Sequence, residues 1–130
     1  MTRLLIVGLG GALGSMARYG TGLAVARLMP GAAWPWATLM VNGVGGLLMG
    51  LLAGWLAQRG SGGDGLRLFA AVGLLGGFTT FSAFSLETAL MIERRQFGLA
   101  AGYVGLSIVL AVAALFLGLM IARRLFGAAL

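Results

Sequence analysis

Two stretches of this chain are as long as a membrane is thick and carry no charge: Trp34 to Ala57, and Phe97 to Ala122. A bilayer's hydrocarbon core takes roughly 20 apolar helical residues to cross. Two further apolar segments accompany them. One runs from about Leu4 to Leu28, interrupted by Arg18; the other begins after Arg67 and stays uncharged until Glu87. The chain has 130 residues, 60% hydrophobic and 9% charged. At roughly 20–25 residues per span, that length holds four spans and not six. An outer-membrane barrel is disfavoured, because its strands alternate apolar and polar residues. The sequence predicts an all-α integral membrane protein, multi-pass in the cell (inner or plasma) membrane. Residues 1–130 form a single four-helix transmembrane domain.

What the chain lacks excludes most chemistry. There is no Cys and no His, and the acids are Asp64, Glu87 and Glu93. Thiol catalysis, disulfide frameworks and imidazole chemistry are ruled out, and a paired-carboxylate hydrolase nearly so. The net charge of +6 does not make a nucleic-acid surface, because the nine arginines punctuate the ends of apolar segments instead of clustering on one face. Glycine, at 24 residues, is far above the usual ~7% and predicts closely packed helices.

Four spans put both termini on one side. The termini and second loop hold Arg3, Arg59, Arg67, Arg123 and Arg124; the first and third loops hold Arg27, Arg94 and Arg95. Five against three is a weak orientation bias. It is compatible with cytoplasmic termini, or with insertion both ways and head-to-tail pairing. Small transporters and channels often use inverted repeats. This chain is too short to contain two; an antiparallel homodimer would supply the second copy by symmetry.

Polar groups inside a membrane are functional candidates by default. Thr38 and Asn42 share a helix face, and the stripe continues as Gly46, Gly50 and Gly54. Asn42 either bonds a neighbouring helix or lines a path. Gly76-Gly77-Phe78-Thr79-Thr80 makes a poor continuous helix, so the third span is expected to break near mid-membrane. Unwound carbonyls at such a break can hold a cation, while the restarting half-helix aims its positive end at an anion. Beyond it, Phe81, Phe84, Ser85 and Thr88 share a face. That face is either plain packing or a lining of partly positive aromatic edges and hydroxyls. Tyr103 and Ser107 share a face of the fourth span. Arg18 lies within the first, where it sets a vestibule potential, snorkels to the interface or pairs with Glu87.

Three blocks resemble the Fluc (CrcB) fluoride channels: Gly10 to Gly14 with Arg18-Tyr19, Trp34 to Asn42, and Gly76 to Ser85. Together, in this order, they are highly specific and cover essentially the whole chain. The resemblance implies an antiparallel, dual-topology homodimer passively exporting cytoplasmic fluoride to relieve its toxicity. It implies that Asn42, Phe81, Phe84, Tyr103 and Ser107 line the fluoride path, with Thr38, Ser82 and Glu87 in the adjoining polar track and Arg18 at the vestibule. It also implies a structural sodium ion, not transported, on the main-chain carbonyls of Gly76 and Thr79 at the dimer centre. The implied partners are fluoride, the lipid bilayer and a second copy of the chain, with no nucleic acid. Two positions depart from the family: Ala83 stands where a threonine is usual between the phenylalanines, and Ala111 where some members are polar.

The chemistry suits such a pore. A small, strongly hydrated anion needs several weak donors in place of water and no deep well. The alternative is a small proton-coupled multidrug or cation exporter of similar length, for which Glu87 is the only candidate buried carboxylate. A non-transporting scaffold would require neither Asn42 nor the broken helix.

Overall fold

The computed structural model describes residues 1–60 and 63–127, and among them every regular element is helical. Helix α1 spans Thr2–Leu28 and α2 spans Trp36–Leu56. Helix α3 is built of three consecutive pieces, Asp64–Leu66, Arg67–Leu75 and Gly76–Phe78. Helices α4, Ser82–Glu93, and α5, Phe97–Phe126, complete the chain. Among the described residues, three segments are long and apolar enough to cross a membrane: Trp36–Leu56, Asp64–Glu93 and Phe97–Phe126. Helix α1 is comparably long but carries Arg3, Arg18 and Arg27.

Local chemistry explains the boundaries. Met29-Pro30-Gly31 ends α1 in a turn, with Gly31 at φ 73, a left-handed angle that favours glycine. Pro35 immediately precedes α2, where its missing N–H costs nothing. Arg95, at φ 58, turns the chain between α4 and α5. At the far end of α2, Arg59 stacks 4.0 Å over the Trp55 ring.

The helices pack as two parallel pairs. Along α2 and α5 the contacts advance together. A Cβ on Gly46 would meet the Ala111 carbonyl at 2.7 Å, one on Gly50 the Leu115 carbonyl at 2.1 Å, and one on Gly54 the Ala122 side chain at 2.6 Å. From the other side, a Cβ on Gly118 would lie 2.3 Å from the Leu47 carbonyl. The stripe predicted from Asn42 onward is thus the seam against α5. Helices α1 and α3 meet in the same manner. Gly10 and Gly14 face Phe69, Leu74 and Phe78, while Gly73 and Gly77 face Val7, Gly10 and Gly11. Each pair brings backbones together where only glycine fits, the small-xxx-small geometry of membrane helices.

The third segment departs from the expected form in two ways. Its Arg67–Leu75 portion is π-wound, with the Gly76 N–H bonded five residues back to the Ala71 carbonyl. Moreover, Gly76 and Gly77 do not break the helix. They are helical, because Gly77 is needed against the Gly11 carbonyl, where a Cβ would sit 2.5 Å away. The interruption falls just after them, at Thr79–Phe81, where Thr79 is extended at φ −82, ψ 158.

Candidate functional site

The interruption is where three helices converge. In an unbroken helix the Thr80 N–H would close onto the Gly76 carbonyl. Here it donates to Asn42 Oδ1 at 2.8 Å, while Asn42 Nδ2 donates back to the Thr80 carbonyl at 2.9 Å. Both ends of one amide side chain thus replace the lost backbone ladder. Thr80 Oγ1 then accepts the Ala83 N–H at 3.1 Å, in the manner of an N-cap, and α4 begins. Ser82 Oγ lies 3.3 Å from the same hydroxyl. On the other side of the gap, Arg18 Nε donates to the Gly77 carbonyl at 3.1 Å. The sequence offered Glu87 as the partner of Arg18; the carbonyl of Gly77 is the one it takes.

The pairing decides which carbonyls stay free. Gly77 and Thr80 are engaged by side chains, and the Thr79 N–H and hydroxyl both go to the Leu75 carbonyl. The Gly76 carbonyl loses its Thr80 donor, and the extended Thr79 turns its own carbonyl out of the helical ladder. No group of three or more His, Cys, Asp or Glu side chains able to hold a metal occurs among the described residues. Main-chain carbonyl oxygens at a helix break are groups that can hold a hard cation.

A second cluster forms where α2, α4 and α5 approach. Thr38 Oγ1 donates to Glu87 Oε1 and Tyr103 OH to Glu87 Oε2, each at 2.6 Å. Thr38 and Tyr103 are buried. Their hydroxyl protons are committed to the carboxylate, so neither can be given to an anion at the same time. What Tyr103 offers instead is its ring, 5.3 Å from Phe84 between centroids; Phe84 lies 5.5 Å from Phe81. Met91 and Ala100 pack on the buried Tyr103, with Trp34 and Leu99 beside them.

Phe81, Phe84, Asn42 and Ser107 line one cleft of about 450 Å³, together with Thr79, Thr80 and apolar residues of α5 including Ala111. The Ser107 hydroxyl is buried at the wall of this cleft and makes no hydrogen bond to another described residue. Phe81 is 79% exposed on the protomer, its ring on the surface. A neighbouring cavity of about 440 Å³ is lined by Ser15, Arg18, Thr38, Thr80, Ala83 and Glu87, among others. Of the predicted residues, Asn42, Thr79, Phe81, Phe84 and Ser107 line the first cavity and Arg18, Thr38 and Glu87 the second, with Thr80 common to both; Tyr103, Ser82 and Gly76 line neither.

Sequence reasoning missed three features. Asn42 is a two-ended backbone surrogate as well as a donor. Glu87 is the shared acceptor of two hydroxyls. Arg18 reaches the gap itself. The four-residue spacing of Thr38 and Asn42 was the available signal for the first two, since it aims both from α2 at the third segment.

The sequence profile described as "CrcB-like protein, Camphor Resistance (CrcB)" matches residues 5–119. The chain belongs to the CrcB family. Within it, the chain is 58% identical over 127 residues to the fluoride-specific ion channel FluC of Caulobacter sp., covering 97% of this chain and 98% of that one. It is 55% identical over 127 residues to the FluC of Caulobacter vibrioides, covering 97% and 99%. Identity to the FluC of Phenylobacterium zucineum is 58% over the same length, again covering 97% and 99%. These CrcB relatives and the present chain therefore correspond nearly end to end.

Proposed function

We propose that this chain is a fluoride-selective channel of the inner membrane, a pore and not an enzyme, through which cytoplasmic fluoride leaves passively. The observation that carries this is the near full-length similarity to relatives named fluoride-specific ion channel, at 58% and 55% identity. The site chemistry agrees. Asn42 Nδ2 has a second N–H beyond the one given to Thr80, and the Ser107 hydroxyl is unpaired. Phe81 and Phe84 add weakly positive ring edges to the same cleft. An ion leaving water meets several weak donors and no Arg or Lys side chain in this cleft, so it is bound without being trapped. Thr38, Tyr103 and Glu87 hold the Phe84 side of that lining in shape, and Ser82 extends the polar track from Thr80.

The working unit is an antiparallel, dual-topology homodimer of four-span protomers whose third span is broken at mid-membrane. Helix α1, with 27 residues, is about 40 Å long and sufficient to cross. The five-against-three split of arginines leaves little orientation bias. The exposed Phe81 and its open cleft give a partner copy something to cover. Sodium would fit at the interruption: the Gly76 and Thr79 carbonyls are among those that neither Arg18 nor Asn42 engages, and a second protomer would double them. Bound there, the ion supplies a fixed positive charge at the dimer centre.

Glu87 does not favour an exporter, since each of its oxygens already accepts from a hydroxyl. Purified protein in liposomes is expected to pass fluoride and essentially no chloride, read by ion-selective electrodes. Comparable chloride efflux, or no fluoride efflux in sodium buffer, overturns the channel. Replacing sodium by a bulky organic cation is expected to stop the flux and lower the thermal stability of the dimer. If both survive exhaustive removal, no central sodium is required.

A further inference from the structure

We propose that Arg18 is a positioning residue that caps the end of α3 from a neighbouring helix, and that this hydrogen bond, more than its charge, is why an arginine stands there. Helix α3 stops at Phe78, and its last carbonyls have lost their partners in the ladder. Such carbonyls carry the negative end of the helix dipole, and a basic side chain that bonds one of them is doubly favourable. Helix α1 runs parallel to α3 in a register set by glycine contacts. Gly10 lies against Phe69 and Gly73, and Gly14 lies against Leu74 and Phe78. One further turn along α1 is Arg18, level with the interruption, and its Nε reaches the Gly77 carbonyl at 3.1 Å. In a continuous helix that carbonyl would accept from the Phe81 N–H. Arg18 takes the place of that donor.

The donor is Nε, not a terminal guanidinium nitrogen, and that makes the inference testable. Counted along the side chain from Cα, Nε2 of a glutamine falls at the same position as Nε of arginine. A methionine puts a methyl group there. A lysine puts a methylene there and carries its charge one bond further out. Donor and charge can therefore be separated at one site. Arg18→Gln keeps the donor and loses the charge; Arg18→Lys keeps the charge and displaces the donor; Arg18→Met loses both.

Hydrogen–deuterium exchange is measured on peptides covering Phe78 to Ser85 in the full dimer, with dimer retention checked by size exclusion. Arg18→Met is expected to speed exchange there by about tenfold, the order expected for loss of one hydrogen bond. Arg18→Gln is expected to stay near the parent and Arg18→Lys to fall between. Fluoride flux, which rests on the proposed function, is expected in the same order: Gln above Lys above Met. If Lys protects and conducts while Gln does neither, Arg18 acts through its charge and the cap is refuted. Unchanged exchange in all three variants also refutes it. If Arg18→Met does not assemble, the Gln and Lys ranking still decides. Absence of fluoride flux in the parent protein would count against the channel and leave the exchange result to judge the cap alone.

Discussion

Helices α2 and α5 and helices α1 and α3 are joined by the same means and put to different use. Both pairs run parallel, and both close onto backbone at glycines where a Cβ would lie 2.0–2.8 Å from a carbonyl. The α2–α5 seam joins two uninterrupted α-helices and acts as a frame. In the other pair α3 is π-wound for nine residues and stops soon after its glycine contacts. There the close approach sets the depth of the gap and brings Arg18 level with it. A glycine seam can therefore be scaffolding or ruler, and the sequence motif does not distinguish them.

The sharpest way to break the comparison is to put one methyl group in each seam. Gly50→Ala and Gly14→Ala each collide with a backbone carbonyl, at 2.1 and 2.0 Å. Each is expected to destabilise the fold by roughly 1–3 kcal/mol or more, read as thermal unfolding of the detergent-solubilised protein. In the surviving folded fraction, Gly14→Ala should lose fluoride flux and Gly50→Ala should keep most of it. Equal specific flux in the two would erase the distinction between frame and ruler.

Asn42→Asp comes next. It sets a carboxylate oxygen against the Thr80 carbonyl where an N–H stood at 2.9 Å, costing roughly 1–3 kcal/mol, and it adds a negative charge to an anion path. Flux should vanish while the dimer persists, and parent-level flux would take Asn42 off the path. Phe81→Ile separates lining from framework. With Phe81 79% exposed on the protomer, protomer stability should change by only about 0.5 kcal/mol while flux is lost.

Tyr103→Phe removes one of the two hydrogen bonds to Glu87 and leaves the ring in place. The expected cost is roughly 1–2 kcal/mol, with flux lowered but fluoride selectivity kept. Loss of selectivity would make the Tyr103 hydroxyl part of the lining. The smallest effect belongs to glycines outside both seams. A Cβ on Gly20 meets nothing within 4 Å, so Gly20→Ala should shift stability by no more than about 1 kcal/mol, upward if at all. A large loss there would mean that a second copy packs on that face of α1.

Legibility in the sequence followed physical range. The helix ends were readable because they are written locally, in Met29-Pro30-Gly31, in the polar run from Arg59 and in Glu93-Arg94-Arg95-Gln96. The stripe from Asn42 through Gly54 correctly marked a packing face, since spacing of four is enough to define one. The position of the interruption was displaced by a few residues, because glycine's helix-breaking tendency was overridden by the contact of Gly77 with Gly11. The π-winding of Arg67–Leu75 left no trace in the composition of that segment. Nor could spacing alone tell that Asn42 would bond Thr80 at both ends, or that Arg18 would choose a carbonyl over Glu87. Those choices depend on relative helix register, which is fixed by the seams.

The parallel pairing also has a consequence for how the chain is made. Helices that run parallel in a single chain cannot be neighbours in sequence, so each seam joins segments separated by an intervening span. Gly46 of α2 finds Ala111 only after α3, α4 and much of α5 have been synthesised. Until then its notched face lies against lipid or a temporary neighbour. Assembly therefore waits for the last helix, and a ribosome stalled before Phe97 would leave a bundle with one of its two seams unmade.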